Sequence, residues 1–248
     1  MPKKRDGKKR KSVYKKILIL CEGEQTEVRY FNSLKGCNRL TSLHIIKCNE
    51  NTPVRLVNQA VCLKKLEDVS DPYNSIWVIF DKDNHTDIER AFIIAYKENI
   101  NIIYSNRCFE YWYLLHFEYT TRDFLSCKEL IKHLEKYLGN AYNKSQSYFD
   151  KLQNKLPIAM NNATKLRVDE LNINEHIIYE RELNEVKNKT KIIPKTKIIN
   201  NKDYNIKYTK KYSKSRIEAL IYEKLRASSY TDIDLLVNYI ENSIKNDS

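Results

Sequence analysis

Ser75-Ile76-Trp77-Val78-Ile79-Phe80-Asp81-Lys82-Asp83 is the stretch on which the reading of the fold turns. An uncharged run rich in β-branched and aromatic side chains ends abruptly in two aspartates. Such a run, apolar from Ile76 to Phe80, suits a strand buried on both faces inside a parallel sheet. The switch to carboxylates then marks the strand's carboxyl end, where ligands of open α/β sheets collect.

Working outward, the same grammar repeats. Ile17-Leu18-Ile19-Leu20 is a second continuous apolar run, and it leads into Cys21-Glu22-Gly23-Glu24-Gln25-Thr26-Glu27. Leu43 to Cys48 and Ile100 to Tyr104 read as two further strands. Between them, apolar residues recur at helical spacing: Val28, Phe31 and Leu34 with Thr26 as a cap, then Leu56, Ala60, Leu63 and Leu66 behind Pro53. Helices are also expected over about 87–98 and 109–117. The alternation of strand and helix predicts an α/β fold with a mostly parallel sheet and helices on both faces. Beyond Phe117 the pattern turns helical, over about 128–138, 145–152, 158–168, 214–227 and 232–242. It is interrupted between Thr190 and Tyr212, where Tyr204, Ile206 and Tyr208 alternate with polar residues beyond a turn-rich Asn200–Asp203. That stretch is read as a basic β-hairpin. The expected organisation is a disordered basic tail over 1–12, an α/β core over 13–125, and a helical region over 126–248 with a basic insertion at about 168–216.

Charge is unevenly spread along the chain. Of 248 residues, 44 are Lys or Arg and 32 are Asp or Glu, for a net charge of +12. Residues 1–16 carry a net +8 and residues 187–216 a net +10, so the remainder is mildly acidic at −6. Basic appendages on an acidic body suit a protein that grips a polyanion at its edges and holds cations at its centre. Lys191, Lys195, Lys197, Lys207, Lys210 and Lys211 are the candidate phosphate contacts, to RNA or DNA, interleaved with tyrosines. The abundance of Lys, Asn, Ile and Tyr also fits an AT-rich coding sequence, under which the lysines are plain solvated charge. No apolar stretch is long enough for a membrane span or a signal-peptide core, and the expected location is the cytoplasm. The six cysteines form no C-x-x-C pair and are read as reduced, mostly buried thiols.

Two acidic turns, each following a buried strand of one sheet, would crowd carboxylates at a single edge. Glu22, Asp81 and Asp83 are therefore the candidate ligands of Mg²⁺ or Mn²⁺, hard ions that favour oxygen donors. Such an ion activates water and stabilises charge on a phosphodiester under attack. Taken singly, an E-G-E or a D-x-D is an ordinary polar turn; the order of the two after buried strands is what points to chemistry. Glu27, able to point back from the first helical turn, competes with Glu24 for a supporting part. Glu110, at the start of the aromatic helix, is a further ligand or base, and His85 a phosphate or metal contact. His116 is read as structural or substrate-facing, and Lys82 as screening the aspartates. The aromatic set Phe109, Tyr111, Trp112, Tyr113 and Phe117 is expected to pack against the sheet rather than to stack on bases.

Ile19-Leu20-Cys21-Glu22-Gly23-Glu24-Gln25-Thr26-Glu27 with Tyr30-Phe31, Val78 to Asp83, and Ser105-Asn106-Arg107-Cys108-Phe109-Glu110-Tyr111-Trp112-Tyr113-Leu114-Leu115-His116-Phe117 resemble, in that order, the signature segments of RloB-like proteins. The resemblance covers about 13–170 and resumes near Tyr230 to Val237. It implies a Toprim-like, Rossmann-related fold akin to the nuclease domains of overcoming-lysogenization-defect proteins, with Glu22, Asp81 and Asp83 as catalytic and metal-binding groups. It also implies a setting in prokaryotic defence islands, often beside an ATPase partner. Arg107 stands where the family pattern has proline, a departure expected to loosen that turn, and the insertion lies outside the resemblance.

The favoured function is an Mg²⁺- or Mn²⁺-dependent nuclease of an antiviral defence system. The alternatives are a non-catalytic module binding nucleic acid or an ATPase partner, and an enzyme that joins or transfers phosphodiesters. No G-x-x-x-x-G-K-[ST] motif is present, which argues against intrinsic ATPase activity. Oligomeric state is left open.

Overall fold

A computed structural model describes residues 15–23, 25–48, 52–82, 85–171, 176–178, 195–197, 207–208, 227 and 230–245. Its frame is a five-stranded sheet in the order β2-β1-β3-β4-β8, built from β1 (Ile17–Cys21), β2 (Leu43–Lys47), β3 (Ser75–Asp81), β4 (Asn101–Asn106) and β8 (Tyr230–Thr231). The first four strands are mutually parallel; β8 is antiparallel to β4, with Ser105 opposite Thr231.

Why β1 and the Ile76–Phe80 stretch of β3 are apolar throughout is visible in the packing. Ile17, Ile19 and Cys21 of β1, with Trp77 and Ile79 of β3, bury against one helical layer. That layer comprises α1 (Thr26–Asn38), α4 (Glu110–Leu115), α5 (Cys127–Leu138), α6 (Phe149–Leu152), α7 (Leu156–Leu171) and α8 (Ile233–Lys245). Leu18, Leu20, Ile76, Val78 and Phe80 point the other way, onto α2 (Pro53–Leu66) and α3 (Ile88–Glu98). Successive side chains of a strand alternate between faces, so a sheet covered on both sides needs apolar residues at every position.

Local signals place the helix ends. Thr52 accepts from the Arg55 amide and Pro53 opens α2, while Ser126 accepts from the Glu129 amide at the start of α5. Glu129 in turn accepts from the Leu125 amide at 2.8 Å, a reach-back of the capping-box kind. Thr26 departs from its expected part: it is the first residue of α1, makes no cap, and sends its hydroxyl to Glu110 instead.

Buried aromatic side chains fill the space between α1 and α4. Tyr30 meets Phe31, Phe109 and Trp112 edge-to-face, at centroid separations of 5.2, 5.7 and 6.4 Å. The aromatic helix is core, as its apolar neighbours suggest. Arg107, just before it, has φ of 78°. Proline is held near −65° and cannot adopt that conformation, so a proline at 107 would require a different turn.

A second, three-stranded antiparallel sheet joins β5 (His176–Ile178), β6 (Lys195–Lys197) and β7 (Lys207–Tyr208). β6 and β7 are the two arms of the expected hairpin, and β5 adds a strand that the alternation did not reveal. The N-terminal tail, the Asn200–Asp203 turn and all but residue 227 of the helix expected over 214–227 lie outside the described residues.

Candidate active site at the carboxyl edge of the sheet

The in-register pairing of β1 with β3 sets the geometry. Cys21 lies opposite Ile79, and the ladder continues one step as the Glu22 amide donates to the Ile79 carbonyl at 3.0 Å. With its backbone so held, Glu22 turns its carboxylate onto the end of β3. Its Oε2 accepts from the Asp81 amide at 3.3 Å, and its Oε1 lies 3.0 Å from His85 Nε2. The side chains of Glu22 and His85 are each 17% exposed, so this cluster is half-buried yet reachable from solvent. The two acidic turns, distant in the chain, meet at one edge. Asp83 and Glu24 lie outside the described residues.

Glu27 rises from the first turn of α1 and folds back over Gly23. A Cβ at Gly23 would fall 2.1 Å from Glu27 Oε2, so the glycine is there for a close approach and not for an unusual φ. Burial pushes the Glu27 carboxyl up to about 7; repulsion from Glu110 and Glu22 adds to this, while its own backbone amide and Lys144 oppose it. The carboxylates at 22, 27 and 110 thus share one electrostatic neighbourhood.

Glu110 is buried at the N-terminus of α4. Its Oε1 accepts from Thr26 Oγ1 at 3.1 Å and from the Tyr142 hydroxyl at 2.8 Å, and its Oε2 faces Cys127 Sγ at 3.8 Å. Cys108 and Cys127 are joined as a disulfide, 19 residues apart in sequence. The reading of all six cysteines as reduced thiols misses this pair, because only the return of α5 across the start of α4 brings them together. Cys21 and Cys48 are buried as expected, whereas Cys62, expected to be buried with them from its apolar neighbours, is exposed, as is Cys37. Among the described residues, Cys108, Glu110 and Cys127 offer ligand atoms all within 4.8 Å of one another, a closer gathering than that of Glu22, Asp81 and His85.

His116 is interior. Its Nδ1 lies 2.9 Å from the Trp112 carbonyl, and burial lowers its pKa to about 4, which keeps the ring neutral. That makes it a packing residue. Burial lowers the Lys82 pKa, Arg107 lowers it further, and Asp123 opposes them. Lys195 and Lys197 fall in β6 and Lys207 in β7, while Lys191, Lys210 and Lys211 lie outside the described residues.

An α/β protein with a mostly parallel five-stranded sheet and carboxylates gathered at its carboxyl edge is the class that fold and site define. Within it, the chain belongs to the RloB-like family, whose model matches residues 17–246. No curated protein and no solved structure matches the chain. Among the described residues, no helix is long and apolar enough to cross a membrane.

Proposed function

We propose that this chain is a divalent-metal-dependent nuclease of a prokaryotic antiviral defence system, cleaving phosphodiesters of RNA or DNA at the Glu22–Asp81 edge. The observation that carries the proposal is the Glu22 carboxylate lying against the end of β3, 3.3 Å from the Asp81 amide. Glu22, just past β1, and Asp81, the last residue of β3, are both half-buried carboxylates, and oxygen donors suit Mg²⁺ or Mn²⁺. Glu22 and Asp81 would hold the ion, joined by Asp83. A bound ion would supply Lewis acidity and a water of lowered pKa.

The chain's own groups divide the remaining tasks. His85, in ion-pairing range of Glu22, steadies that carboxylate and would contact an incoming phosphate. Glu27, with a carboxyl near 7, can take up and release a proton at neutral pH, as a general base requires. The lysines of the insertion, including Lys195, Lys197 and Lys207, hold the backbone of the nucleic acid by charge. An ATPase encoded beside the gene is the proposed protein partner, as the family resemblance implies.

The test is cleavage of single- and double-stranded RNA and DNA by the purified chain, with and without Mg²⁺ or Mn²⁺. Glu22→Gln and Asp81→Asn should each abolish metal-dependent cleavage while leaving the circular-dichroism spectrum unchanged. Cleavage that survives both substitutions refutes the assignment. Salt-sensitive binding without turnover, across all substrates and metals, would favour the non-catalytic module instead.

A further inference from the structure

The cysteine pair beside Glu110 is not used by the chemistry at the sheet edge, and its surroundings have the organisation of a ligand site. Cys108 closes the turn after β4, Glu110 opens α4 and Cys127 opens α5. Their two sulfurs and a carboxylate oxygen lie within 4.8 Å of one another. Thr26 and Tyr142 both donate to Glu110 Oε1, at 3.1 and 2.8 Å, which orients the carboxylate and leaves Oε2 turned to the sulfurs. While Cys127 is bonded to Cys108, its sulfur has no proton to offer that oxygen 3.8 Å away. A buried carboxylate oxygen facing a protonless sulfur is poorly satisfied. Reduction would relieve this, and a cation would relieve it further.

We propose that the reduced chain binds one Zn²⁺ through Cys108 Sγ, Cys127 Sγ and Glu110 Oε2, and that the disulfide and the metal are alternative occupants of this site. Thiolate sulfur and carboxylate oxygen are both zinc donors, and tetrahedral zinc with Zn–S of about 2.3 Å needs its sulfurs about 3.8 Å apart. The Cα atoms of the two cysteines are 5.8 Å apart, so that separation is within reach of side-chain rotation about the present backbone. The hydroxyls of Thr26 and Tyr142 supply the outer hydrogen bonds that hold a ligating carboxylate in place. Cys127 is only partly buried, which leaves room for water as a fourth ligand. Converting one state to the other balances simply. A phosphine breaks the S–S bond and is oxidised to its oxide, with water supplying the oxygen and the protons of the two thiols. Those two protons are released when the metal binds.

The experiment uses the full chain, reduced with a phosphine under anaerobic conditions and titrated with Co²⁺ as a spectroscopic stand-in for Zn²⁺. One equivalent should bind with sulfur-to-cobalt charge-transfer absorption, and one equivalent of Zn²⁺ should bleach it. Cys127→Ser and Cys108→Ser should lose the band, Glu110→Gln should weaken binding at least tenfold, and the oxidised chain should show no band until reduced. An oxygen-only site at Glu22 and Asp81 gives no sulfur band, so Glu22→Gln should leave the sulfur-to-cobalt band unchanged. In the unsubstituted chain, Zn²⁺ should also protect Cys108 and Cys127 from alkylation by at least tenfold relative to Cys37 and Cys62, read by peptide mass. Absence of the band in the reduced chain, or equal alkylation with and without Zn²⁺, overturns the proposal.

Discussion

Glu27→Gln isolates the energetic cost of holding a carboxylate at this edge. The carboxyl's ordinary value of 4.5 is pushed up to about 7, chiefly by burial. Between those values the folded chain binds a proton that the unfolded chain has released. Stability contributed by the neutral carboxyl is therefore complete below pH 4.5 and is lost as pH rises through about 7. The full loss is about 3 kcal/mol, from roughly 1.4 kcal/mol for each pH unit that separates the two values. Glutamine keeps the shape without the charge, so the variant lacks this loss, while every other titrating group behaves alike in both proteins. Urea unfolding of the two chains at a series of pH values from 4.5 to 8 gives the difference directly. The variant should gain relative to the parent by about 3 kcal/mol across that range and, under the proposed function, lose cleavage. Curves that stay parallel would refute the burial argument for Glu27.

Three further outcomes follow from particular contacts. Gly23→Ala puts a methyl where the Glu27 carboxyl sits, so it should cost about 1–3 kcal/mol, and combining it with Glu27→Ala should recover most of that loss in urea unfolding. Arg167 and Asp234 form a buried bidentate pair tying α7 to α8; Arg167→Met alone should cost about 3–5 kcal/mol, whereas Arg167→Met with Asp234→Leu should return close to parental stability by thermal or urea unfolding. For His116, held neutral down to about pH 4 against an ordinary 6.5, the unfolded chain takes up the proton first as pH falls, so the parent should lose about 3 kcal/mol relative to His116→Gln between pH 7 and 4, measured by urea midpoints.

Much of the frame was legible because burial on both faces of a strand writes itself as an unbroken apolar run. Ile17 to Leu20 and Ser75 to Phe80 announce β1 and β3, and the carboxylates that end each run mark the edge where Glu22 reaches the Asp81 amide. Helical spacing likewise placed α1 and α2 to within a few residues. What short spacing cannot encode is contact between segments far apart in the chain. Thr26, a plausible cap by position, turns to a glutamate 84 residues away. Cys108 and Cys127 meet only because α5 returns across α4, and β8 joins the sheet antiparallel from the far end of the chain. Local sequence determines which residues seek burial and with what period. Tertiary packing alone decides which buried polar groups face one another, because those pairings are set by the layering of helices on the sheet and not by anything along the chain.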